Sequence, residues 1–121
     1  MLFNYESLST KGSDLLLITN HKTSQKVFID NVMFLKGNIN YSIVYLENGK
    51  TKILSHTLKF YEEFLSTHGF LRVHRAFLIN PNYVMEYCEE KVLVMMKNGH
   101  EANISRRRKG VMKDFELLKY W

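Results

Sequence analysis

Short runs of hydrophobic residues separated by polar turns predict that the chain is built mainly from β-strands. The runs at 14–18 and 25–29 have strand length, and the polar segment between them predicts a hairpin loop. The run at 32–37 predicts a buried strand. Segments 41–54 and 92–104 each hold an Asn-Gly pair between two apolar runs. Because Asn-Gly readily adopts positive φ at both central positions, each pair predicts a tight type I′ hairpin turn.

Helical spacing of apolar residues occurs in the middle of the chain, at 57–65. Leu58, Tyr61, Phe64 and Leu65 fall on one face of a helix there, while charged residues between them fall on the opposite face. The segment therefore predicts a short amphipathic helix.

A second helical pattern runs from 105 to 121, at the end of the sequence. Val111, Phe115 and Leu118 are spaced at i, i+4 and i+7, and Ser105 is placed to cap the first turn. Together the patterns predict a mainly-β fold with a short mid-chain helix and a C-terminal helix.

Length and composition indicate one ordinary globular domain spanning residues 1–121. Hydrophobic residues make up 45% of the chain, which is enough for a substantial core. No apolar run approaches the roughly 18 residues of a membrane span, and the N-terminal segment lacks the features of a signal peptide. The single cysteine, Cys88, excludes an internal disulfide, so we expect a cytoplasmic protein without membrane contact.

The charge of the chain favours an anionic partner, because the formal net charge is +5 and the isoelectric point is near 9.3. Nucleic acid, an acidic protein and a membrane surface are all negatively charged and could each bind a basic chain. Arg106, Arg107, Arg108 and Lys109 form a basic run at the predicted start of the last helix. Cations are unfavourable at a helix N-terminus, and a bound phosphate would reverse the sign of that effect. A solvated basic face stays the alternative.

The segment 70–80 combines core-like residues with two arginines and a histidine. Phe70, Val73 and Phe77 are expected to pack inward. Arg75 is expected to point into solvent, because burial of an unpaired guanidinium group carries a large desolvation penalty. The segment therefore predicts a packed scaffold whose charged side chains point into solvent.

Four polar residues raise a choice between structural and functional roles. His74, beside apolar residues, is more often a hydrogen-bonded structural residue than a ligand or a base. Asn80 precedes a proline and is interpreted as structural. Asn38 and Asn40 lie in a polar loop, where an asparagine amide can bond an adenine edge. Asparagine is just as common in turns for conformational reasons, so both interpretations of this loop stay open.

Signatures of enzymes and metal sites are missing from the sequence. The five histidines lack zinc-ligand spacing, and Cys88 has no CxxC partner. No phosphate-binding loop, dinucleotide fingerprint or nucleophile elbow is present. We therefore expect no catalytic activity, no cofactor and no bound metal.

Four segments, in order along the chain, carry a family resemblance. They are IDNVMFLKG at 29–37, TLKFYEEFL at 57–65, FLRVHRAFLINPNYV at 70–84 and KNGHEANISRRRK at 97–109. In this order and spacing the chain resembles the LytTR domain, over about residues 14–118. LytTR is the DNA-binding domain of the LytR/AlgR family of bacterial transcription regulators. The resemblance implies an elongated, β-sandwich-like multi-stranded sheet with small helices.

The resemblance also implies a mode of DNA binding. Loops between strands, instead of a recognition helix, would enter the major groove of double-stranded DNA and read its sequence. The positions that the resemblance assigns to DNA contact are Asn38, Asn40, Arg75, Arg106, Arg107 and Lys109. Arg107 and Lys109 are expected on phosphates. Because LytTR-like proteins commonly occupy repeated half-sites, the implied partners are promoter repeats, a second copy of the chain on DNA and a regulatory protein.

Three features depart from the family pattern. Ala76 stands where a serine is common, and EANIS at 101–105 lacks the usual proline of the last strand. Lys36 replaces an acidic residue, which makes the loop that follows it more favourable to phosphate. No segment of the chain resembles the receiver domain that often precedes a LytTR domain. We therefore expect that phosphorylation within this chain is not its switch.

Two other functions stay open. A single-stranded nucleic-acid binder on a small β-barrel would stack bases on exposed aromatic rings, and the chain holds seven tyrosines and eight phenylalanines. A basic protein-interaction module would use the same cations against an acidic partner.

Overall fold

Antiparallel strands dominate the part of the chain described by a computed structural model, which comprises residues 2–3, 16–20, 22 and 25–112. The strands are β1 Leu2–Phe3, β2 Leu16–Asn20, β3 Gln25–Phe28, β4 Val32–Gly37, β5 Ser42–Leu46, β6 Thr51–Leu54, β7 Leu71–His74, β8 Phe77–Ile79, β9 Val84–Cys88, β10 Leu93–Met96 and β11 Glu101–Asn103. The α-helix α1 spans Leu58–Leu65. Short 3-10 helices span Ile29–Asn31, Ser66–His68, Pro81–Tyr83 and Arg106–Arg108. The prediction of a mainly-β fold with a mid-chain helix is confirmed.

The strands form three sheets, which pack around two cores. The large sheet has the order β6-β5-β4-β8-β7, the small sheet β11-β10-β9 and the N-terminal sheet β1-β2-β3. Successive side chains of a strand point to opposite faces, so β4 contributes to both cores. One core joins Leu35 of β4 to Leu17 of β2 and Leu58 of α1. The other joins Phe34 of β4 to Val94 of the small sheet.

Both Asn-Gly hairpins have a turn other than the predicted type I′. Gly49 and Gly99 have φ of 87° and 86°, whereas neither asparagine has positive φ. The Gly49 N–H donates to the Leu46 carbonyl over 3.0 Å, and the Leu46 N–H donates to the Lys50 carbonyl over 2.9 Å. These bonds define a type I turn followed by a left-handed glycine, a common three-residue hairpin loop. The Asn48 Oδ1 accepts the Lys50 N–H over 2.9 Å, which stabilises this arrangement.

The helix α1 has the predicted amphipathic character. Leu58, Tyr61 and Leu65 are buried, and Phe64 is half-buried against the same core. The chain continues in a 3-10 turn and reverses at Gly69, whose φ of 89° lies in the left-handed region that glycine adopts without strain.

The helix predicted for residues 105–121 does not begin as an α-helix at Ser105. Arg106–Arg108 is a 3-10 turn, and the side chain of Ser105 makes no capping hydrogen bond there. The Ser105 Oγ is buried without a hydrogen-bond partner among the described residues, and the Ser105 N–H donates to the Val73 carbonyl over 2.8 Å, which fixes the residue against β7. Ser105 therefore stands at the predicted N-cap position, but of a 3-10 turn and without a side-chain capping hydrogen bond. Phe115 and Leu118 lie outside the described residues.

Segment 70–80 forms β7, a tight turn and β8. Phe70 and Val73 are buried, as predicted. Phe77 also packs against the core between the large and small sheets, as predicted, although its ring is only half-buried. The ring lies opposite the exposed Lys36 in the strand register, with the ammonium group 5.9 Å from its centroid.

Asn80 has the structural role that the sequence predicts. The residue is 4% exposed, and its Nδ2 donates to the Val32 carbonyl over 3.0 Å. Its Oδ1 accepts the Asn82 N–H over 3.1 Å. A buried amide with both ends bonded is stabilising, and here it fixes the end of β8 to the start of β4.

Candidate nucleic-acid interface

The loop after β4 and the turn between β7 and β8 meet at one end of the strands of the large sheet. β4 and β8 run antiparallel, with Lys36 opposite Phe77, so the end of one strand adjoins the start of the other. The Gly37 N–H donates to the Ala76 carbonyl over 2.8 Å, which joins the loop to the turn. A Cβ atom at residue 37 would lie 3.0 Å from the Leu58 side chain, so this close approach favours glycine.

The loop after β4 has a shape set by its own hydrogen bonds. The Asn38 N–H donates to the Tyr41 carbonyl over 2.8 Å, and the Asn38 Nδ2 donates to the Tyr41 hydroxyl over 2.9 Å. The Asn38 Oδ1 accepts the Ile39 N–H over 2.7 Å. Asn40 is exposed, and its side chain makes no hydrogen bond to the described residues. The amide of Asn40 is therefore accessible to a partner, whereas that of Asn38 also organises the loop.

An open cleft of about 510 Å³ separates this loop from the turn between β7 and β8. Asn38 and Ile39 line one side of the cleft, and Arg72 and Arg75 line it from the turn. Lys59, at the start of α1, adds a further cation. The cleft therefore combines polar, apolar and cationic side chains that strands and a helix hold in place.

Arg72, for which the sequence predicts no role, fixes the backbone of the turn. Its Nη1 pairs with the Glu62 carboxylate of α1 over 2.5 Å. Its Nε donates to the His74 carbonyl over 2.8 Å, and its Nη2 donates to the Arg75 carbonyl over 2.7 Å. A planar guanidinium group suits this use, because its donors leave in fixed directions. Arg72 therefore sets the turn from which the Arg75 side chain projects.

The basic run at 106–109 lies against the same end of β7. The hydrogen bond between the Ser105 N–H and the Val73 carbonyl places the run next to the turn that follows β7. The Arg108 Nη1 donates to the Arg72 carbonyl over 3.5 Å, and Arg108 is half-buried. The structure thus brings together chain segments that are about 30 residues apart in the sequence.

The six predicted contact residues are all exposed in the described part of the chain. They are Asn38, Asn40, Arg75, Arg106, Arg107 and Lys109. The four cationic side chains among them make no ion pair with the carboxylates of the described residues. These cations are therefore accessible to an anionic partner.

His74 has a structural role within this group of arginines. Its Nδ1 accepts the Ala76 N–H over 3.0 Å, which requires a neutral ring at that nitrogen. Burial lowers the pKa of His74 below its usual 6.5, and the nearby charges of Arg75, Arg108 and Arg72 lower it further. The imidazole therefore stays neutral near pH 7 and closes the turn.

The lowered pKa of His74 predicts a loss of stability on acidification. The unfolded histidine binds a proton near pH 6.5, and the folded one binds it only at lower pH. Stability is therefore complete above about pH 6.5 and falls as the pH drops through the folded-state pKa. His74→Asn keeps an acceptor for the Ala76 N–H but does not titrate. Urea unfolding from about pH 8 to about pH 5 should show a steeper loss for the wild type than for the variant. Parallel curves would contradict this role.

The described part of the chain holds neither a candidate metal site nor a candidate membrane-spanning helix. No group of three or more His, Cys, Asp and Glu side chains there is arranged to hold a metal ion. Within residues 2–3, 16–20, 22 and 25–112, no helix is long and apolar enough to cross a membrane.

Comparison with known proteins agrees with this architecture. The family model of the LytTr DNA-binding domain matches residues 22–116. The structure is similar to the LytTr DNA-binding domain of a putative methyl-accepting/DNA response regulator from Bacillus cereus, with a TM-score of 0.68 and 23% sequence identity. The alignment covers 88% of this chain and 97% of that one, which shows a shared fold. The comparison with curated proteins gave no match.

The family model covers most of the chain, including α1, the turn at Arg75 and the basic run. On this match, the chain belongs to the LytTr DNA-binding domain family.

Proposed function

We propose that the protein binds double-stranded DNA at specific sequences and acts as a bacterial transcription regulator. The observation that carries the proposal is the convergence at one end of β7. The Gly37–Ala76 hydrogen bond brings the loop after β4 to the turn, and the Ser105–Val73 hydrogen bond brings the basic run. Accessible amide and guanidinium groups at one rigid end of the sheet suit a major groove that is about 12 Å wide.

The residues at this end of the sheet have two roles, contact with bases and contact with phosphates. Arg75 and Arg106 reach base edges, where a guanidinium group pairs bidentately with guanine O6 and N7. Asn40 supplies an amide for an adenine edge. Arg107 and Lys109 contact phosphates, which set the register and supply salt-sensitive affinity.

Loops, and not α1, present these groups. The helix α1 has only eight residues, its buried residues face the core that it shares with the large sheet, and its exposed face includes the carboxylate of Glu63, which repels phosphate. Of its residues, Lys59 lines the cleft and fits a phosphate contact. The loop after β4, the turn at Arg75 and the basic run are the parts that enter the groove.

Selection from a random duplex library tests the proposal directly. A regulator enriches a defined motif, and titration of that labelled duplex then gives tighter binding than a scrambled duplex of equal length. Specific binders typically discriminate by roughly 10³-fold or more. Absence of any enriched motif, together with equal affinity for both duplexes, would contradict the regulator function. Competition by single-stranded oligonucleotides separates this function from single-strand binding.

Salt dependence tests the phosphate contacts. Arg107→Ala and Lys109→Ala are each expected to reduce the slope of log K against log salt by about 0.9, because each removes one released counterion. Both variants should weaken binding to selected and scrambled duplexes alike. Lys50→Ala is the matched control, since Lys50 is exposed in the hairpin at the other end of β5. Its slope should equal that of the wild type. An unchanged slope for Arg107→Ala and Lys109→Ala would remove both residues from the phosphate contacts.

A further inference from the structure

Ile39 is an apolar side chain held in solvent beside the candidate DNA contacts. It is 86% exposed, more than any other large hydrophobic residue of the described part of the chain. Ile53, the next in exposure, is 69% exposed. A side chain so fully in water gains nothing from the core, so its apolar surface is available for burial against a partner.

The loop presents Ile39 in a defined position. Its own N–H is held by the Asn38 Oδ1 over 2.7 Å, and Asn38 is fixed to Tyr41 through both backbone and side chain. The Gly37 N–H in turn bonds the Ala76 carbonyl. Little ordering entropy is then lost when a partner contacts Ile39, which favours a specific contact over an adventitious one.

The surroundings of Ile39 point to DNA as the partner. Ile39 and Arg75 line the same cleft, and Arg72 and Lys59 line it as well. Ile39 also stands between Asn38 and Asn40 in the chain. Cations at the cleft fit phosphates and guanine edges, whereas the branched aliphatic side chain can only meet an apolar feature of the groove.

We propose that Ile39 contacts the 5-methyl group of a thymine in the major groove and helps to select the DNA sequence. The inference rests on the proposed function. Among the four bases, only thymine presents a methyl group in the major groove, and apolar side chains recognise it there. Ile39 therefore reads a base by burying that methyl group, while the neighbouring amide and guanidinium groups read hydrogen-bonding edges.

Deoxyuridine substitution tests the contact, because deoxyuridine differs from thymidine only by the methyl group. The probe is the duplex recovered by selection from a random library, with each thymine replaced singly by deoxyuridine. The wild type should bind roughly fourfold more weakly at one thymine of each half-site, the value for one buried methyl group. Ile39→Ala should bind the unmodified duplex more weakly and show no further loss at that position. The non-additivity identifies the direct contact.

Ile53→Ala is the matched control, an exposed isoleucine on β6 outside the cleft. It should keep the full response to deoxyuridine. Wild-type binding that is selective yet indifferent to every deoxyuridine would overturn the role of Ile39 and leave the proposed function standing. Equal losses in the wild type and in Ile39→Ala would also overturn it, because the methyl group would then be read elsewhere. Binding without any sequence preference would overturn the role of Ile39 together with the proposed function.

Discussion

Phe34→Ala is expected to lower the free energy of unfolding by about 3–5 kcal/mol, the range for truncating a buried aromatic ring. Phe34 is 2% exposed and lies in the core between the large and small sheets. Its ring stacks on Tyr45 with centroids 4.3 Å apart, and His100 of the small-sheet hairpin meets it edge-on at 5.5 Å. Alanine would leave a cavity where the two sheets join. Urea unfolding measures the loss, and an unchanged m-value would show that both proteins unfold as one unit.

Phe60→Ala is the matched control for this substitution. Phe60 is 39% exposed on α1, and its ring stacks on His56 at 3.9 Å. Loss of one exposed ring pair should lower the free energy of unfolding by about 1 kcal/mol or less. If Phe34→Ala were no more damaging than Phe60→Ala, the packing of the small sheet on the large one would not be a main source of stability.

The buried core residues and the proposed DNA-contact residues are separate sets in this fold, and the sequence predicts the two sets by different signals. The positions of α1 and of the hairpins follow from the spacing of apolar residues, a local signal. The role of Asn80 follows from the proline after it. The turn type at Asn48-Gly49 did not follow, because a glycine with positive φ fits two hairpin loops, and one hydrogen bond that the Asn48 side chain accepts stabilises the observed one.

Features that depend on contacts between distant segments could not be predicted from the spacing of residues along the chain. Arg72 pairs with Glu62, and this pairing exists only because α1 packs beside β7 and β8. Phe77 packs against the core but is only half-buried, and its degree of burial depends on which segments cover it in the fold. The DNA-contact positions are predicted from a family resemblance, because exposure and charge alone do not distinguish a residue that contacts DNA from a charged residue that is only solvated.

Arg75→Ala is expected to weaken binding to the selected duplex by roughly 5- to 150-fold, which corresponds to the 1–3 kcal/mol of one bidentate base contact. Binding to a scrambled duplex should change little, because the phosphate contacts are retained. The fold should be unaffected. Arg75 is exposed, its side chain makes no hydrogen bond to the described residues, and Arg72 holds the turn through the Arg75 carbonyl. Titration of both labelled duplexes, with circular dichroism of the variant, measures these quantities.

Arg75→Lys separates charge from geometry at this position. Lysine keeps the positive charge but lacks the planar pair of donors, so affinity for the selected duplex should fall and the salt slope should match the wild type. Arg107→Ala is the contrasting variant, with equal losses on both duplexes and a smaller slope. If Arg75→Ala behaved like Arg107→Ala, Arg75 would contact a phosphate and not a base. Sequence recognition would then fall to Arg106 and to the loop after β4.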